Sequence, residues 1–277
     1  MQSGDNKQGV DKLDSEVENQ SPRIKKRQNM SEIKSHKRPM FELYSPEQKQ
    51  QLYDALTEFC TENRKQLLDK NIQNRTRHLT LVLEDIYQSQ NASAVLRTAD
   101  CFGIQDVHVI ENRYEYQLNP DVALGSSKWV DYHRYNRNGE DNTRAAFERL
   151  RQKGYKIIAT LPHENDVMLA DLDISQPTAL VFGTELTGLS QTAIDLADGY
   201  VKIPMYGFTE SFNISVSAAL CTFYLTEKMR STPRLEWRLT PDEQLDVKLN
   251  WARQSIRDAN RLIKKLAADL GLPEILI

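Results

Sequence analysis

The stretch "ESFNISVSAAL", at residues 210–220, decides how the C-terminal half of this chain is interpreted. It follows the short apolar run "YVKIPM" and places small polar side chains at Ser211, Asn213 and Ser215. Such side chains compete for backbone hydrogen bonds inside a helix but stabilise its start, so a helix is predicted from about residue 212 to 229. One such side chain is enough to cap a helix. Three of these side chains beside the free N–H groups of a helix start therefore indicate a ligand site.

Upstream of this stretch, short apolar runs alternate with helical patterns. Five runs rich in β-branched residues predict strands buried on both faces, at residues 79–84, 107–110, 156–160, 179–182 and 200–203. Between them lie three helical patterns, each followed by a glycine that can end a helix, at residues 91–102, 141–153 and 189–197. Alternating strands and helices predict an α/β domain with a mainly parallel sheet.

Helical extensions are predicted on both sides of this domain. A capping box with proline at the first helical position, Ser45-Pro46-Glu47-Gln48, predicts one amphipathic helix from residue 46 to about 69. A similar start at Thr240-Pro241-Asp242-Glu243 predicts one final amphipathic helix. The predicted organisation is a disordered basic tail (1–40), an N-terminal helical extension (41–74), a central α/β domain (75–232) and a C-terminal helical extension (233–277).

The composition excludes several classes of protein. A net charge of −3 creates no global field that attracts nucleic acid, so an RNA partner would be bound by local basic patches. The three cysteines are scattered and form no C-x-x-C pair, which favours reduced thiols in the cytoplasm and argues against structural zinc. No apolar run approaches the ~20 residues of a membrane span. The five histidines are dispersed and show no metal-binding spacing, so no metal is expected.

The first 40 residues change the sign of their charge halfway along. Residues 1–20 carry two lysines against five acidic residues, whereas residues 21–40 carry seven Lys/Arg against Glu32 alone. Few large apolar residues interrupt them, which predicts disorder. Blocks of like charge occur both in solvated leaders and in arms that contact RNA, and both interpretations stay open.

Polar side chains follow three of the predicted strands. Asn91 and Arg97 follow the first strand, Glu185 follows the fourth, and Ser211 and Asn213 follow the fifth. Each alone has an ordinary explanation as a helix cap, a surface residue or a solvated turn. Because ligands bind beyond the carboxyl ends of the strands in α/β sheets, their common position predicts a site there.

Three segments, "NASAVLRTADCFGI", "ALVFGTELTGLS" and "IPMYGFTESFNISVSAAL", resemble the three motifs of the SPOUT methyltransferases in the order and spacing of that family. They are most similar to the TrmH-type ribose 2′-O-methyltransferases, over about residues 75–230. The resemblance implies a trefoil-knotted α/β fold with a deep pocket for S-adenosylmethionine, and a homodimer whose sites form where the knots of two subunits meet. The strand and helix pattern alone predicts an ordinary doubly wound sheet, because knots are rare.

The resemblance also implies roles for single residues. Those expected to line the cofactor pocket, largely through backbone and apolar contacts, are Thr160, Gly183, Ile203 and Phe212. Those expected to contact RNA phosphates are Arg75 and Lys128. Two further basic residues, Lys228 and Arg230, match the tRNA enzymes only approximately.

The catalytic group that the resemblance implies comprises Arg97, Asn91, Glu185, Ser211 and Asn213. Asn91 is expected to position Arg97 and to hydrogen-bond the ribose, and Glu185 to help hold the arginine. Arg97 matches the essential arginine of the first motif, often considered the base. A guanidinium is a poor proton acceptor and a good orienting group, so whether Arg97 deprotonates or aligns the ribose hydroxyl stays open.

The implied reaction is methylation of a ribose in RNA, and three substrate hypotheses remain. Residues 1–74 show a basic tail and a helix where many ribosomal RNA enzymes have a compact α/β domain, which favours the tRNA-type members that methylate a guanosine in the D-loop. A ribosomal RNA ribose methyltransferase is the enzymatic alternative, and a catalytically silent RNA-binding protein is the alternative from another class. Transfer of a tritiated methyl group to tRNA, to rRNA or to neither distinguishes the three.

Overall fold

The computed structural model describes residues 41–161 and 167–274, so the predicted tail at 1–40 lies outside the described residues. Seven strands within these ranges form one sheet: β1 (Leu79–Glu84), β2 (Asp106–Ile110), β3 (Asp131–Tyr135), β4 (Lys156–Thr160), β5 (Val167–Met168), β6 (Thr178–Phe182) and β7 (Gly199–Lys202). They lie in the order β3-β2-β1-β6-β4-β7-β5. Every neighbouring pair is parallel.

The helices of the described ranges are α1 (Pro46–Thr57), α2 (Glu62–Ile72), α3 (Ser89–Phe102), α4 (Pro120–Ala123), α5 (Asn142–Gln152), α6 (Gln191–Leu196), α7 (Ile214–Ser231), α8 (Pro241–Ser255) and α9 (Ala259–Asp269). Within those ranges, every helix is too short or too polar to cross a membrane. Of the small polar residues in the opening stretch, Asn213 caps α7: its side chain accepts a hydrogen bond from the Ser215 backbone N–H.

The predicted α/β class and parallel sheet are confirmed, and each of the five predicted strands is present to within one residue at either end. The edge strands β3 and β5 were not predicted. Their burial explains this, because β3 is mostly half-buried and the two residues of β5 are exposed. Continuous apolar runs are typical of strands that are covered on both faces, and edge strands lack them.

The sheet carries a helical layer on each face. Alternate residues of β1 point to opposite sides, so Leu81 and Leu83 join one core while Val82 joins the other. Helices α3 and α7 cover the first face, through buried side chains such as Val95, Leu96, Ala218 and Leu225. Helices α5 and α6 cover the second, through Phe147, Leu150 and Ala193. At the carboxyl ends of β4, β6 and β7, Thr160, Gly183 and Ile203 remain partly exposed between these layers.

Each flanking segment was predicted as one helix, and each contains two. The first helix ends at Thr57, and the second begins where the Thr61 hydroxyl accepts a hydrogen bond from the Arg64 backbone N–H at 3.3 Å. At the other end of the chain, α8 and α9 are separated by Asp258, which has a left-handed backbone with φ 53°. The apolar period continues across both breaks, so periodicity alone does not reveal them.

The two extensions form a single helical cluster. Leu52 and Leu56 of α1 share a buried core with Leu249 of α8 and Ile263 of α9. The buried Lys49 of α1 places its Nζ 2.8 Å from Asp242 and 2.9 Å from Asp246. Segments from opposite ends of the chain therefore stabilise each other beside the α/β domain.

Candidate active site and cofactor pocket

A pocket of about 350 Å³ lies at the carboxyl ends of β4, β6 and β7, which neighbour one another in the sheet. Its lining includes all four positions that the sequence predicted for the cofactor, Thr160, Gly183, Ile203 and Phe212. Glu185 and Ser211 of the predicted catalytic group line it as well. A wider depression between α8 and α9 contains none of these residues.

The pocket combines apolar walls with a few polar groups. Ligand sites of small molecules are mostly apolar, with a few well-placed polar groups. Here the apolar walls come from Phe182, Val201 and Ile214, and polar groups come from Glu210 and Ser217 at the rim. An adenosine joined to an aliphatic, charged tail matches this combination.

The turn that follows β6 brings two glycines into close contact. Thr184 and Gly188 exchange backbone N–H···O hydrogen bonds of 3.0 Å in both directions, and Gly188 has φ 66°. A Cβ atom on Gly183 would lie closer than 3.0 Å to the backbone of Gly188 and Leu189. The close packing therefore depends on glycine at position 183 and leaves the backbone of this turn facing the pocket.

A carboxylate and two amides meet beside the pocket. Glu185 Oε1 accepts hydrogen bonds from the side-chain amides of Asn91, at 2.9 Å, and Asn213. The Asn213 amide also donates to Asn91 Oδ1 at 3.1 Å. The first turn of α3, the turn after β6 and the cap of α7, far apart in the sequence, thus contribute one residue each to this Glu185 cluster. Glu185 Oε2 makes no hydrogen bond within the described ranges and is open to a ligand.

Arg97 does not join this cluster, contrary to the expectation that Asn91 would position it. Asn91 is buried, whereas Arg97 is exposed and makes no hydrogen bond or ion pair within the described ranges. Six residues of an α-helix correspond to about 240° around its axis, so the two side chains leave α3 on different faces. Glu185 likewise holds the two asparagines rather than the arginine.

The predicted RNA contacts fall into two groups. Lys128 is exposed, in a short 3-10 turn at 126–128. Arg75, by contrast, has a side chain only 5% exposed, paired with Asp100 and lying 5.0 Å from the centre of the Trp251 ring. These contacts make Arg75 a structural link between α3 and α8, and they correct the expectation that it faces RNA.

The two approximate matches are also engaged within the chain. Lys228 Nζ donates to the carbonyl oxygens of Ala170, at 2.9 Å, and Leu172, at 2.8 Å. Arg230 donates to the carbonyl of Phe102 at 2.9 Å. Of the four basic residues considered for RNA, Lys128 alone has a side chain that makes no such contact within the described ranges.

Sequence reasoning missed Glu84, which ends β1 and is 2% exposed. Its carboxylate accepts hydrogen bonds from the Ser190 backbone N–H at 2.8 Å, the Ser190 hydroxyl at 2.7 Å and the Thr143 hydroxyl. Ser190 caps α6 and ends the turn that lines the pocket. Glu84 therefore anchors the pocket turn to the centre of the sheet. The signal in the sequence is an acidic residue at the end of an otherwise apolar strand, since a buried carboxylate requires hydrogen-bond partners.

Solved structures define the class to which this fold and pocket belong. The crystal structure of the A. aeolicus TrmH/SpoU tRNA modifying enzyme matches with a TM-score of 0.54 and 25% identity, covering 76% of this chain and 98% of that one. The SpoU methyltransferase AviRb from Streptomyces viridochromogenes, solved with the cofactor AdoMet, matches with a TM-score of 0.50 and 25% identity, covering 59% and 65%. The fold is that of the SPOUT methyltransferases.

Sequence comparisons specify the family. Residues 78–223 match the model of the SpoU rRNA Methylase family. A tRNA (guanosine(18)-2′-O)-methyltransferase of Borreliella burgdorferi is 43% identical over 204 residues, which cover 74% of this chain and 91% of the relative. An enzyme of the same name from Thermus thermophilus is 33% identical over 195 residues, covering 70% and 98%. The chain belongs to the SpoU methylase family.

Proposed function

We propose that this protein methylates the 2′-hydroxyl of a guanosine ribose in the D-loop of tRNA, with S-adenosylmethionine as methyl donor. The observation that carries the proposal is the pocket at the ends of β4, β6 and β7, flanked by the Glu185 cluster. The choice of tRNA rests on the names of the relatives, whose lengths this chain covers almost completely. A tRNA substrate and the scattered cysteines support a cytoplasmic location.

The cofactor would be held by Thr160, Gly183, Ile203 and Phe212. When bound, S-adenosylmethionine supplies an electrophilic methyl group on a sulfonium. The chain's own residues must then orient the ribose hydroxyl toward that methyl group and exclude competing water. Ser211 at the pocket rim would contribute a hydroxyl to this alignment.

Within the chain, the Glu185 cluster supplies the acceptor for the ribose. The two asparagines occupy Oε1 of Glu185, which leaves Oε2 to accept a hydrogen bond from the 2′-hydroxyl. We assign Arg97 to orient the ribose and its phosphate, because arginine keeps its charge in proteins and donates in a fixed fork geometry. Lys128 would add a phosphate contact that sets affinity without reading sequence.

A homodimer would explain why Arg97 makes no hydrogen bond or ion pair within the described residues of one chain. One face of α7 exposes Val216, Leu220 and Phe223, and Phe223 lies 6.0 Å from Phe102 at the end of α3, ring centre to ring centre. Arg97 projects from the same helix α3. A second subunit on this face would cover the apolar residues and bring Arg97 toward the partner's pocket. We further propose that the segment from β6 to α7 is threaded as the trefoil knot of this family.

The test of this function is transfer of a tritiated methyl group to purified tRNA and rRNA by the wild-type protein and by Arg97→Lys. We expect tRNA to be labelled, and the lysine variant to lose about 100-fold in kcat, because a point charge cannot reproduce the guanidinium fork. Affinity for S-adenosylmethionine, measured by calorimetry, should stay unchanged. Arg144→Lys, an exposed arginine of α5, is the matched control and should retain full activity.

Two results would change the conclusion. Labelling of rRNA in place of tRNA would identify the alternative substrate while keeping the chemistry. No labelling of any RNA, with the cofactor bound normally, would identify a catalytically silent RNA-binding protein.

A further inference from the structure

An exposed aromatic pair projects from the loops that follow β1 and β2 and has no role in the proposed chemistry. Tyr87 is 74% exposed and Tyr114 is 43% exposed, and their rings pack edge to face with centroids 5.1 Å apart. Aromatic side chains usually bury most of their surface. Two that pack on each other and still face solvent indicate a surface for a partner.

The segment that carries Tyr87 has an unusual backbone. Asp85, directly after β1, has φ 54°, which is uncommon for a residue with a side chain and costs conformational energy. Its carboxylate Oδ1 accepts hydrogen bonds from the backbone N–H groups of Asn112, at 2.7 Å, and Arg113, at 2.8 Å. The loop after β1 and the loop after β2 are therefore tied together, and each carries one of the tyrosines.

The loop that carries Tyr114 is anchored on both sides. Glu111 Oε1 accepts a hydrogen bond from the Tyr116 backbone N–H at 2.6 Å, and Arg134 pairs with the same carboxylate. The Asn112 side chain donates to the Thr143 hydroxyl at 2.9 Å. Tyr114 thus projects from a loop held in place by side chains, so its ring is available without further ordering.

The residue that follows Tyr87 connects the aromatic pair to the proposed active site. Gln88, the residue after Tyr87, accepts a hydrogen bond from the Asn91 amide at 3.0 Å, and that same amide donates to Glu185. Tyr87 is therefore the chain neighbour of a residue whose side chain hydrogen-bonds the cluster proposed to bind the ribose. Arg113, beside Tyr114, is exposed and its guanidinium makes no ion pair within the described ranges.

We propose that Tyr87 and Tyr114 stack an unpaired nucleobase of the tRNA substrate adjacent to the ribose that is methylated, while Arg113 contacts the neighbouring phosphate. The inference rests on the proposed function, because it supposes an RNA substrate. Unpaired RNA bases stack on aromatic side chains, and arginine binds phosphate. An exposed aromatic pair next to a guanidinium that has no ion pair in the described part of the chain matches this chemistry better than it matches a second apolar protein surface.

The first experiment measures the Michaelis constant for tRNA. Tyr87→Ala and Tyr114→Ala should each raise it roughly tenfold, the size of one lost base-stacking contact. Tyr87→Phe and Tyr114→Phe should restore the wild-type value, because the ring face is kept. Affinity for S-adenosylmethionine should not change in any of the four. Phe59→Ala removes an exposed aromatic from the connection between α1 and α2 and should have no effect.

A second experiment separates stacking from charge. Arg113→Gln should flatten the dependence of log K for tRNA on log salt by roughly one unit, since one phosphate contact is lost. The tyrosine variants should leave that slope unchanged, because stacking releases no counterions.

Three results would overturn the proposal: an unchanged tRNA affinity in the double alanine variant, an equal loss of affinity in Phe59→Ala, or a fall in oligomer mass in the tyrosine variants. The last would mean that the pair contacts a second subunit. If the wild type transfers no methyl group to RNA, the proposed function fails on its own. In that case the stacking role of Tyr87 and Tyr114 is tested by equilibrium binding of tRNA to the same variants. An unchanged dissociation constant rejects that role.

Discussion

At the scale of single residues, the pocket depends on one position where a side chain cannot be accommodated. Gly183 packs against the backbone of Gly188 and Leu189, and the backbone of that turn is itself closed by two hydrogen bonds. Backbone atoms cannot move aside as a flexible side chain can. The Glu185 cluster depends on this turn as well, because Glu185 lies within the turn.

We therefore predict that Gly183→Ala weakens the binding of S-adenosylmethionine by at least about tenfold, because a single Cβ displaces the turn that lines the pocket. Isothermal titration calorimetry measures the change. Gly207→Ala is the matched control, since a Cβ at that position meets no atom within 4 Å. Equal affinities of the two variants would mean that this turn does not contact the cofactor.

At the scale of elements, the strands β2 and β3, at one edge of the sheet, contain a buried polar network. His108 of β2 stacks on His133 of β3 with ring centroids 4.7 Å apart, and its Nδ1 lies 3.0 Å from the Tyr135 hydroxyl. His133 Nε2 lies 2.8 Å from Asp106, which also binds Arg77 at 2.7 Å. Burial would raise the pKa of Asp106, but the Arg77 guanidinium and the hydrogen bond from His133 hold it well below its usual range.

Burial, followed by the neighbouring His133, lowers the pKa of His108 well below its usual range, although Asp106 acts in the opposite sense. The cations Lys153 and Arg149 add to the lowering. His108 therefore stays neutral in the folded protein at a pH where an unfolded chain, with a histidine pKa of about 6.5, takes up a proton. Because the unfolded state binds more protons, stability falls as the pH decreases below about 6.5.

We predict that the free energy of unfolding of the wild type falls by about 1 kcal/mol more than that of His108→Gln between pH 6.5 and 5.5. Urea denaturation at pH 7.5, 6.5 and 5.5 measures the difference. His108→Gln removes the titrating group and keeps a polar side chain for the Tyr135 hydroxyl. Parallel pH profiles of the two proteins would contradict the assignment of a neutral, buried His108.

At the scale of the whole molecule, the proposed dimer depends on the exposed apolar face of α7. Val216, Leu220 and Phe223 recur at a spacing of three to four residues, which places them on one side of the helix. The opposite side is buried against the sheet through Ala218 and Leu225. A surface helix that is apolar on both sides indicates a second partner.

Leu220→Glu should therefore convert the protein into a monomer, because a dimer would bury two unpaired carboxylates at its centre. Light scattering after gel filtration should show half the wild-type mass, and methyl transfer should be lost with it. Leu220→Met keeps the apolar volume and should leave the mass unchanged. A dimeric Leu220→Glu protein would place the interface on another face.

The sequence by itself determined the features that depend on local patterns. Alternating apolar runs and glycine stops predicted the α/β sheet, and the second and third motifs contain residues that line one pocket, such as Gly183 and Phe212. Caps located helix starts at Ser45 and Thr240. These signals reside in neighbouring residues, so they can be detected before the chain is folded.

Only the tertiary structure decided which polar side chains are buried and which of them meet. Arg75 resembles a surface cation in the sequence, but Trp251, far along the chain, covers it. Glu84 and Ser190, His108 and His133, and the two tyrosine loops are also pairs that no local pattern connects. These contacts arise from packing, because strand order and helix docking decide which distant residues come within hydrogen-bonding distance.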